Sequence, residues 1–120
     1  MESILTSIKK LLGITEEYEH FDSDIIMHIN SVFMILNQLG VGPENGFSIS
    51  DKKAIWNDFI PEDSKNFEAV KSYIHLKVKL LFDPPLSSAV MEATKQLISE
   101  LEWRLNVEAE LKGREVIQNG

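Results

Sequence analysis

The residues best suited to catalysis or metal binding in this chain are three histidines, set among nineteen aspartates and glutamates. Glu17 and His20 stand in a Glu-x-x-His spacing, which di-iron helical bundles use once on each of two helices. Here the spacing occurs a single time, in an acidic linker before a helix start, so coincidence explains it better. His28 and His75 fall inside helical patterns, with no set of partners readable from the sequence. Solvated histidines are therefore the default interpretation.

Other motifs for catalysis are missing from the sequence. It has no glycine-rich phosphate loop, no nucleophile elbow and no His-Glu-x-x-His. It also has no cysteine, which excludes disulfides and thiolate metal sites. Neighbouring carboxylates such as Glu16 and Glu17, or Glu100 and Glu102, are adequately explained as solvated charge. The sequence thus predicts a protein that is not an enzyme and carries no metal or cofactor.

Charge and length narrow the remaining classes of function. Twelve basic residues against nineteen acidic ones give a net charge of −7 over 120 residues. An acidic chain is a poor candidate for gripping DNA, because DNA binding depends on neutralising phosphates. No apolar run approaches the roughly 20 residues that span a bilayer, so no membrane partner is expected. The length allows one domain, and docking onto other proteins is the activity left.

Two helices are predicted in the first 40 residues from the spacing of apolar side chains. Ser3 is a plausible N-cap for the first helix, and Gly13 stops it. Asp22 is expected to cap the second helix, which Gly40 ends. The apolar face of the first helix consists of Ile4, Leu5, Ile8, Leu11 and Leu12. The core stripe of the second consists of Ile25, Ile29, Val32, Phe33 and Leu36.

The segment that follows, residues 41–62, is rich in turn-forming glycine, proline and asparagine. Phe47 and Ile49 alternate with serines, which is typical of a short strand. Two interpretations stay open after them: a short helix capped by Asp51, or a hairpin turn over residues 50–53.

Two further helices are predicted after this segment. The third long helix spans about residues 64–82 and ends at Asp83, since a residue before proline is pushed out of the α region. Asp83 can also cap the fourth helix, with Pro84 at its favoured first position, and that helix reaches about Glu110. Its core arc is Val90, Thr94, Leu97, Ile98, Leu101 and Leu105. The predicted fold is all-α, a small antiparallel bundle of about four main helices with a short irregular or β excursion near residues 46–60.

Several apolar residues lie outside the predicted core stripes. The third long helix has one stripe of Phe67, Val70, Ile74, Val78 and Leu81, and an opposite stripe of Ala69, Tyr73, Leu76 and Leu80. Either this helix lies centrally in the bundle, or one stripe faces a neighbouring subunit. Trp103 lies off the core arc of the last helix, and tryptophan is enriched at interface hot spots. Met27 and Met34 repeat the pattern on the second helix. Candidate interface residues are therefore Met27, Met34, Tyr73, Leu76, Leu80 and Trp103.

The C-terminal ten residues are predicted to form a tail, which divides the chain into a helical domain over residues 1–110 and a tail over residues 111–120. The tail is mostly polar and Gly113 interrupts it, so it cannot bury enough surface to fold alone. We expect it to dock on a neighbouring subunit or another protein. Its candidate contact residues are Arg114, Glu115, Val116 and Ile117.

Five segments of the sequence resemble the head–tail connector (adaptor, or head completion) proteins of tailed bacteriophages. The most specific is residues 69–85, AVKSYIHLKVKLLFDPP. The others are residues 4–13 (ILTSIKKLLG), 28–32 (HINSV), 56–59 (WNDF) and 99–104 (SELEWR). The resemblance covers roughly residues 3–109 and rests on structural rather than catalytic motifs.

This resemblance implies a structural virion protein at the head–tail junction, made in the cytoplasm of the bacterial host. Such proteins form a ring, commonly twelve-fold, under the portal protein, and they present a platform for the next connector or tail protein. DNA passes through the channel of the ring without specific binding. The alternative from another class is a small cytoplasmic helical regulator that binds one protein partner as a monomer or dimer. A ring subunit needs two different complementary faces, whereas a dimer needs one self-complementary patch.

Overall fold

Five helices form the described part of the chain in the computed structural model, which describes residues 2–119 and the side chains of residues 2–112. They are α1 (Ile4–Leu11), α2 (Asp22–Gln38), α3 (Trp56–Phe59), α4 (Phe67–Phe82) and α5 (Ser88–Asn119). Within residues 2–119 the only β pairing is an isolated antiparallel bridge between Ser3 and Ile55. The predicted all-α bundle with four main helices is therefore confirmed.

The central helix is α4, because α1, α2 and α5 all pack against it. Its buried side chains are Phe67, Val70, Tyr73, Ile74 and Val78. The five core residues predicted for α2 are all buried as well. The first of the two interpretations of α4 therefore holds, since apolar residues around much of its circumference meet other helices of the same chain.

The N-terminal helix begins as the sequence predicts. The Ser3 hydroxyl accepts a hydrogen bond from the Thr6 N–H at 3.2 Å, which is the N-cap arrangement. Ser7, one turn later, accepts a hydrogen bond at 2.8 Å from the indole N–H of Trp56, which is buried. This bond fixes α3 against α1 across 49 residues of sequence.

Asp22 is not the N-cap of α2, because it is already the first residue of that helix and Phe21 occupies the cap position. Its carboxylate instead forms an ion pair with Lys9, whose Nζ lies 2.8 Å from Oδ1. The same ammonium donates a hydrogen bond to the Glu16 carbonyl at 2.9 Å. The Lys9 side chain is buried, so it ties α1, the acidic linker and the start of α2 together.

Residues 41–55 form an irregular loop without the predicted strand. Asn30 on α2 holds this loop, since it accepts from the Ile49 N–H at 2.8 Å and donates to the Ile49 carbonyl at 2.9 Å. Asp51 accepts from the Lys53 N–H in a local turn and does not cap a helix. Asp58 stabilises the start of the short helix α3 instead, because its carboxylate accepts a hydrogen bond from the Ile55 N–H.

The boundaries of the last helix differ from the prediction at both ends. Asp83 ends α4, and α5 begins four residues after Pro84, with the Ser87 hydroxyl accepting from the Val90 N–H as an N-cap. At the other end the helix continues past Glu110 and Gly113 to Asn119. The predicted helix end at Glu110 is therefore wrong. One glycine inside a helix costs only about 1 kcal/mol relative to alanine, which is too little to end the helix at Gly113. The separate role of residues 111–120 stays a prediction.

Candidate docking surfaces

The histidines do not form a reactive cluster. The ring of His20 packs against Tyr18 and Phe21. His75 is a residue of α4, and its ring lies near the end of α1. Burial and the nearby Lys79 lower its pKa, whereas a hydrogen bond with the Leu11 backbone acts to raise it. Among the described side chains, no three His, Asp or Glu residues are placed to hold a metal ion. Nor does any helix in the described range have the length and apolarity to cross a membrane.

Beyond its first turn, which carries Asp22 and Asp24, the outward side of α2 is an apolar, uncharged surface, here called the α2 outer face. Met27 and Met34 are 57% and 62% exposed on it. They line a shallow groove together with Ser23, Ile26, Asn30 and Ser31. The Ser31 hydroxyl donates to the Met27 carbonyl at 3.0 Å, so its hydrogen-bonding capacity is partly used within the helix. The sequence from Ile25 to Pro43 contains no Asp, Glu, Lys or Arg, although such residues make up 26% of the chain.

A second apolar surface lies where α4 turns into α5, and we call its four residues the corner surface. These are Leu81, Leu86, Val90 and Leu97, all exposed. Val90 and Leu97 were predicted to be core residues of the last helix, yet they are 51% and 46% exposed. These two core predictions are therefore wrong.

The N-terminal part of α5 is only partly covered by the rest of the chain. At 1.5 Å per residue, α5 with its 32 residues is about 48 Å long, twice the length of the 16-residue α4. α4 can therefore cover only part of α5. Among the described side chains of α5, Ile98 and Leu105 are buried, and none of residues 88–97 belongs to the core. The first three turns of α5 thus keep the apolar face of a core helix, but none of their side chains is fully buried.

A third group of apolar residues lies further along α5, towards its C-terminal end, and is called the Trp103 stripe. Trp103 is 67% exposed, Leu111 is exposed, and Val107 between them is half-buried. The four-residue spacing places all three on one side of the helix. Trp103 thus lies outside the core of the subunit, as its helical angle predicts, and its contact with another chain stays a prediction.

The candidate interface residues on α4 are placed differently. Tyr73 is fully buried, and its hydroxyl donates to Glu102 on α5 at 2.8 Å. Burial and this carboxylate raise the pKa of Tyr73 well above its ordinary value, so the phenol stays protonated and able to donate. Leu76 and Leu80 are half-buried and pack against the core. Tyr73 therefore has no open face for another chain, whereas an interface role of Leu76 and Leu80 stays a prediction.

The four candidate residues of the tail, Arg114, Glu115, Val116 and Ile117, belong to α5, and their side chains lie outside the described ones. Their docking role therefore stays a prediction. Sequence reasoning identified Met27, Met34 and Trp103 as exposed apolar residues, but it missed the corner surface. The available signal was the pair Pro84-Pro85, which separates a short apolar helix from a much longer one.

A deeper groove of about 440 Å³ lies between α5 and the loop after α2. Apolar side chains of Phe59, Pro61 and Leu105 line it, with Lys65, Glu108 and Lys112 at its edge. Lys65 and Glu108 approach each other to 3.9 Å at this edge and are both solvent-accessible. Ser64 also lines the groove, but its hydroxyl donates a hydrogen bond to the Pro61 carbonyl at 2.7 Å rather than to a base, so the geometry suggests no reaction.

The described part of the chain is thus a small helical bundle with three exposed apolar surfaces. The model of the phage connector protein family matches residues 4–112, and the chain belongs to that family. No curated protein and no solved structure matches the chain significantly. The resemblance found in the sequence is thus confirmed, and membership indicates a structural connector role in a phage.

Proposed function

We propose that the protein is a head–tail connector subunit that assembles into a ring, twelve-fold by expectation, beneath the portal protein. The ring extends the DNA channel and joins the capsid to the next connector or tail protein. The subunit is made in the host cytoplasm and resides in the virion. The observation that carries this proposal is the family match over residues 4–112, since it spans nearly all of the folded chain.

The exposed apolar surfaces support assembly rather than a solitary monomer. The α2 outer face, the corner surface and the Trp103 stripe lie on three different parts of the molecule. A subunit inside a ring touches two neighbours through different faces and the portal through a third, so three surfaces are what that position requires. A dimeric regulator would use one self-complementary patch.

The net charge supports passage of DNA rather than its capture. A charge of −7 repels a phosphate backbone, and repulsion from the wall favours sliding of DNA through a channel. The proposed role requires no catalysis, cofactor or metal.

Imaging the protein mixed with the portal protein of the same phage tests the proposal. We expect stacked rings in which a connector ring covers one end of the portal. Dimers or monomers that leave the portal bare would contradict the proposal and favour the helical regulator. Mixing with the portal of an unrelated phage serves as the control for non-specific stacking.

A further inference from the structure

The α2 outer face and the corner surface match each other in spacing. Met27 and Met34 are seven residues apart on α2, and Val90 and Leu97 are seven residues apart on α5. Seven residues are close to two helical turns, so each pair lies on one side of its helix with about 10.5 Å between its members. Two helices laid side by side can therefore bring both pairs into contact at once.

The α2 outer face also has the composition expected at the centre of an interface. Charged residues are depleted at interface cores, whereas methionine is enriched there. From Ile25 to the end of α2 at Gln38, a stretch of nearly four turns, this strongly charged chain has no Asp, Glu, Lys or Arg. Met27 and Met34 are flexible side chains able to adapt to the branched Val90 and Leu97.

The two surfaces cannot meet within one subunit. Val90 and Leu97 lie in a part of α5 where no residue joins the core, while α2 packs on α4 by its opposite side. Any contact between them must therefore join two chains. Because the two surfaces are different, such a contact is head-to-tail and leaves each subunit with one free surface at either end, which is how a ring grows and closes.

From these observations we propose that the corner surface of one subunit packs on the α2 outer face of the next copy of the same chain. Val90 and Leu97 lie against Met27 and Met34 of the neighbour. This inference rests on the proposed ring, since it identifies the two faces through which neighbouring subunits meet. The Trp103 stripe is left free for a different partner.

Disulfide trapping tests the contact directly, because the chain contains no cysteine and the four positions are exposed. Four double variants each pair one cysteine on α2 with one on α5: M27C/V90C, M34C/L97C, M27C/L97C and M34C/V90C. The first two trap parallel helices and the last two antiparallel ones. Each is assembled with the portal and oxidised, and the products are separated by denaturing electrophoresis without reductant.

We expect one parallel or antiparallel set to form ladders of three or more linked chains, since every subunit then contributes to two different bonds. The single variants Met27→Cys and Leu97→Cys should remain monomers. The control is K52C/L97C, because Lys52 is exposed in the loop after α2 and belongs to neither surface.

The outcomes separate the two proposals. Rings of the unmodified protein on the portal, with no double variant exceeding the control, would overturn the contact and leave the proposed function intact. Linked dimers from a single variant above the control level would also overturn it, because they require a self-complementary face. Absence of any ring would overturn the proposed function and the contact together.

Discussion

At the scale of single residues, two glycines with the same backbone conformation differ in their surroundings. Gly42 and Gly46 have φ angles of +90° and +89°, a region that side chains disfavour. A Cβ added at Gly42 would lie 2.3 Å from the Phe59 ring, whereas one at Gly46 would meet nothing within 4 Å. Phe59 also packs against Phe33 and Phe47, so a shift of its ring would disturb both of these contacts. Gly42 is thus required by packing as well as by backbone conformation.

We predict that Gly42→Ala destabilises the protein more than Gly46→Ala. The backbone strain of alanine at positive φ costs about 1–2 kcal/mol in either case. Overpacking against Phe59 adds about 1–3 kcal/mol at Gly42 alone. Urea unfolding of the two variants and the unmodified protein measures both losses. Equal losses would show that the aromatic cluster rearranges without cost.

His75 links stability to pH. Its Nε2 is buried with no hydrogen-bond partner among the described atoms, and burial is the main reason why its pKa is lowered. The folded protein therefore binds fewer protons at this site than the unfolded chain does. The free energy of unfolding rises with pH wherever the unfolded state binds more protons than the folded state. The contribution of His75 to this free energy therefore reaches its maximum above the pKa of the unfolded chain, about 6.5.

We predict that stability falls as the pH drops below about 6.5 towards the lowered pKa of folded His75, and that His75→Gln makes this decline shallower. Glutamine keeps the polar character of the side chain but does not titrate. Thermal unfolding of both proteins between pH 7.5 and 5.5 is the measurement, and the other titrating groups cancel in the difference. If the melting temperatures of the two proteins change equally with pH, His75 does not contribute to the pH dependence of stability.

At the scale of elements, helical spacing identifies which residues share a face but not how much of that face is covered. All five residues predicted for the core stripe of α2 are buried, and α4 is the main helix that packs against α2. The arc of α5 was predicted equally well as a face, yet Val90 and Leu97 on this arc are exposed, whereas Ile98 and Leu105 are buried. The buried Tyr73 hydroxyl has an acceptor because Glu102 lies next to it on a neighbouring helix. Such coverage depends on the tertiary arrangement, which the sequence pattern does not contain.

The two tryptophans show the same distinction between core and surface. Trp56 is buried and donates to Ser7, while Trp103 is exposed on the outer side of α5. We predict that Trp103→Ala weakens assembly with the portal by about 2 kcal/mol or more, roughly thirty-fold in affinity, and leaves the melting temperature of the free subunit nearly unchanged. Titration of portal with each protein, followed by ring counting, measures the first effect.

Trp56→Ala is the matched comparison, since it should cost about 3–5 kcal/mol of subunit stability through loss of core packing. A large drop in melting temperature for Trp103→Ala would show that Trp103, like Trp56, stabilises the fold of the subunit. If Trp103→Ala forms rings as well as the unmodified protein does, the Trp103 stripe takes no part in assembly.

At the scale of the whole molecule, the exposed apolar surface is divided into small parts. A stable protein–protein interface buries about 800 Å² on each partner, with 20–30 residues a side. The α2 outer face offers two large apolar side chains and the corner surface offers four. A single contact between two subunits is therefore expected to be weak, although every subunit in a closed ring gains two such contacts and a third with the portal.

We predict that the free protein is a monomer at micromolar concentration and forms rings only when the portal is present. If the proposed function holds, the portal binds many subunits side by side, which raises their effective concentration and turns a weak contact between neighbours into a stable one. Sedimentation velocity of the protein alone should show one species near its mass of 13.7 kDa. Addition of portal should move it into a much larger complex, and Leu97→Glu should reduce that shift by placing a charge in the contact. Stable rings without portal would show that the subunit contacts are strong on their own, and that the portal is not needed to bring neighbouring copies together.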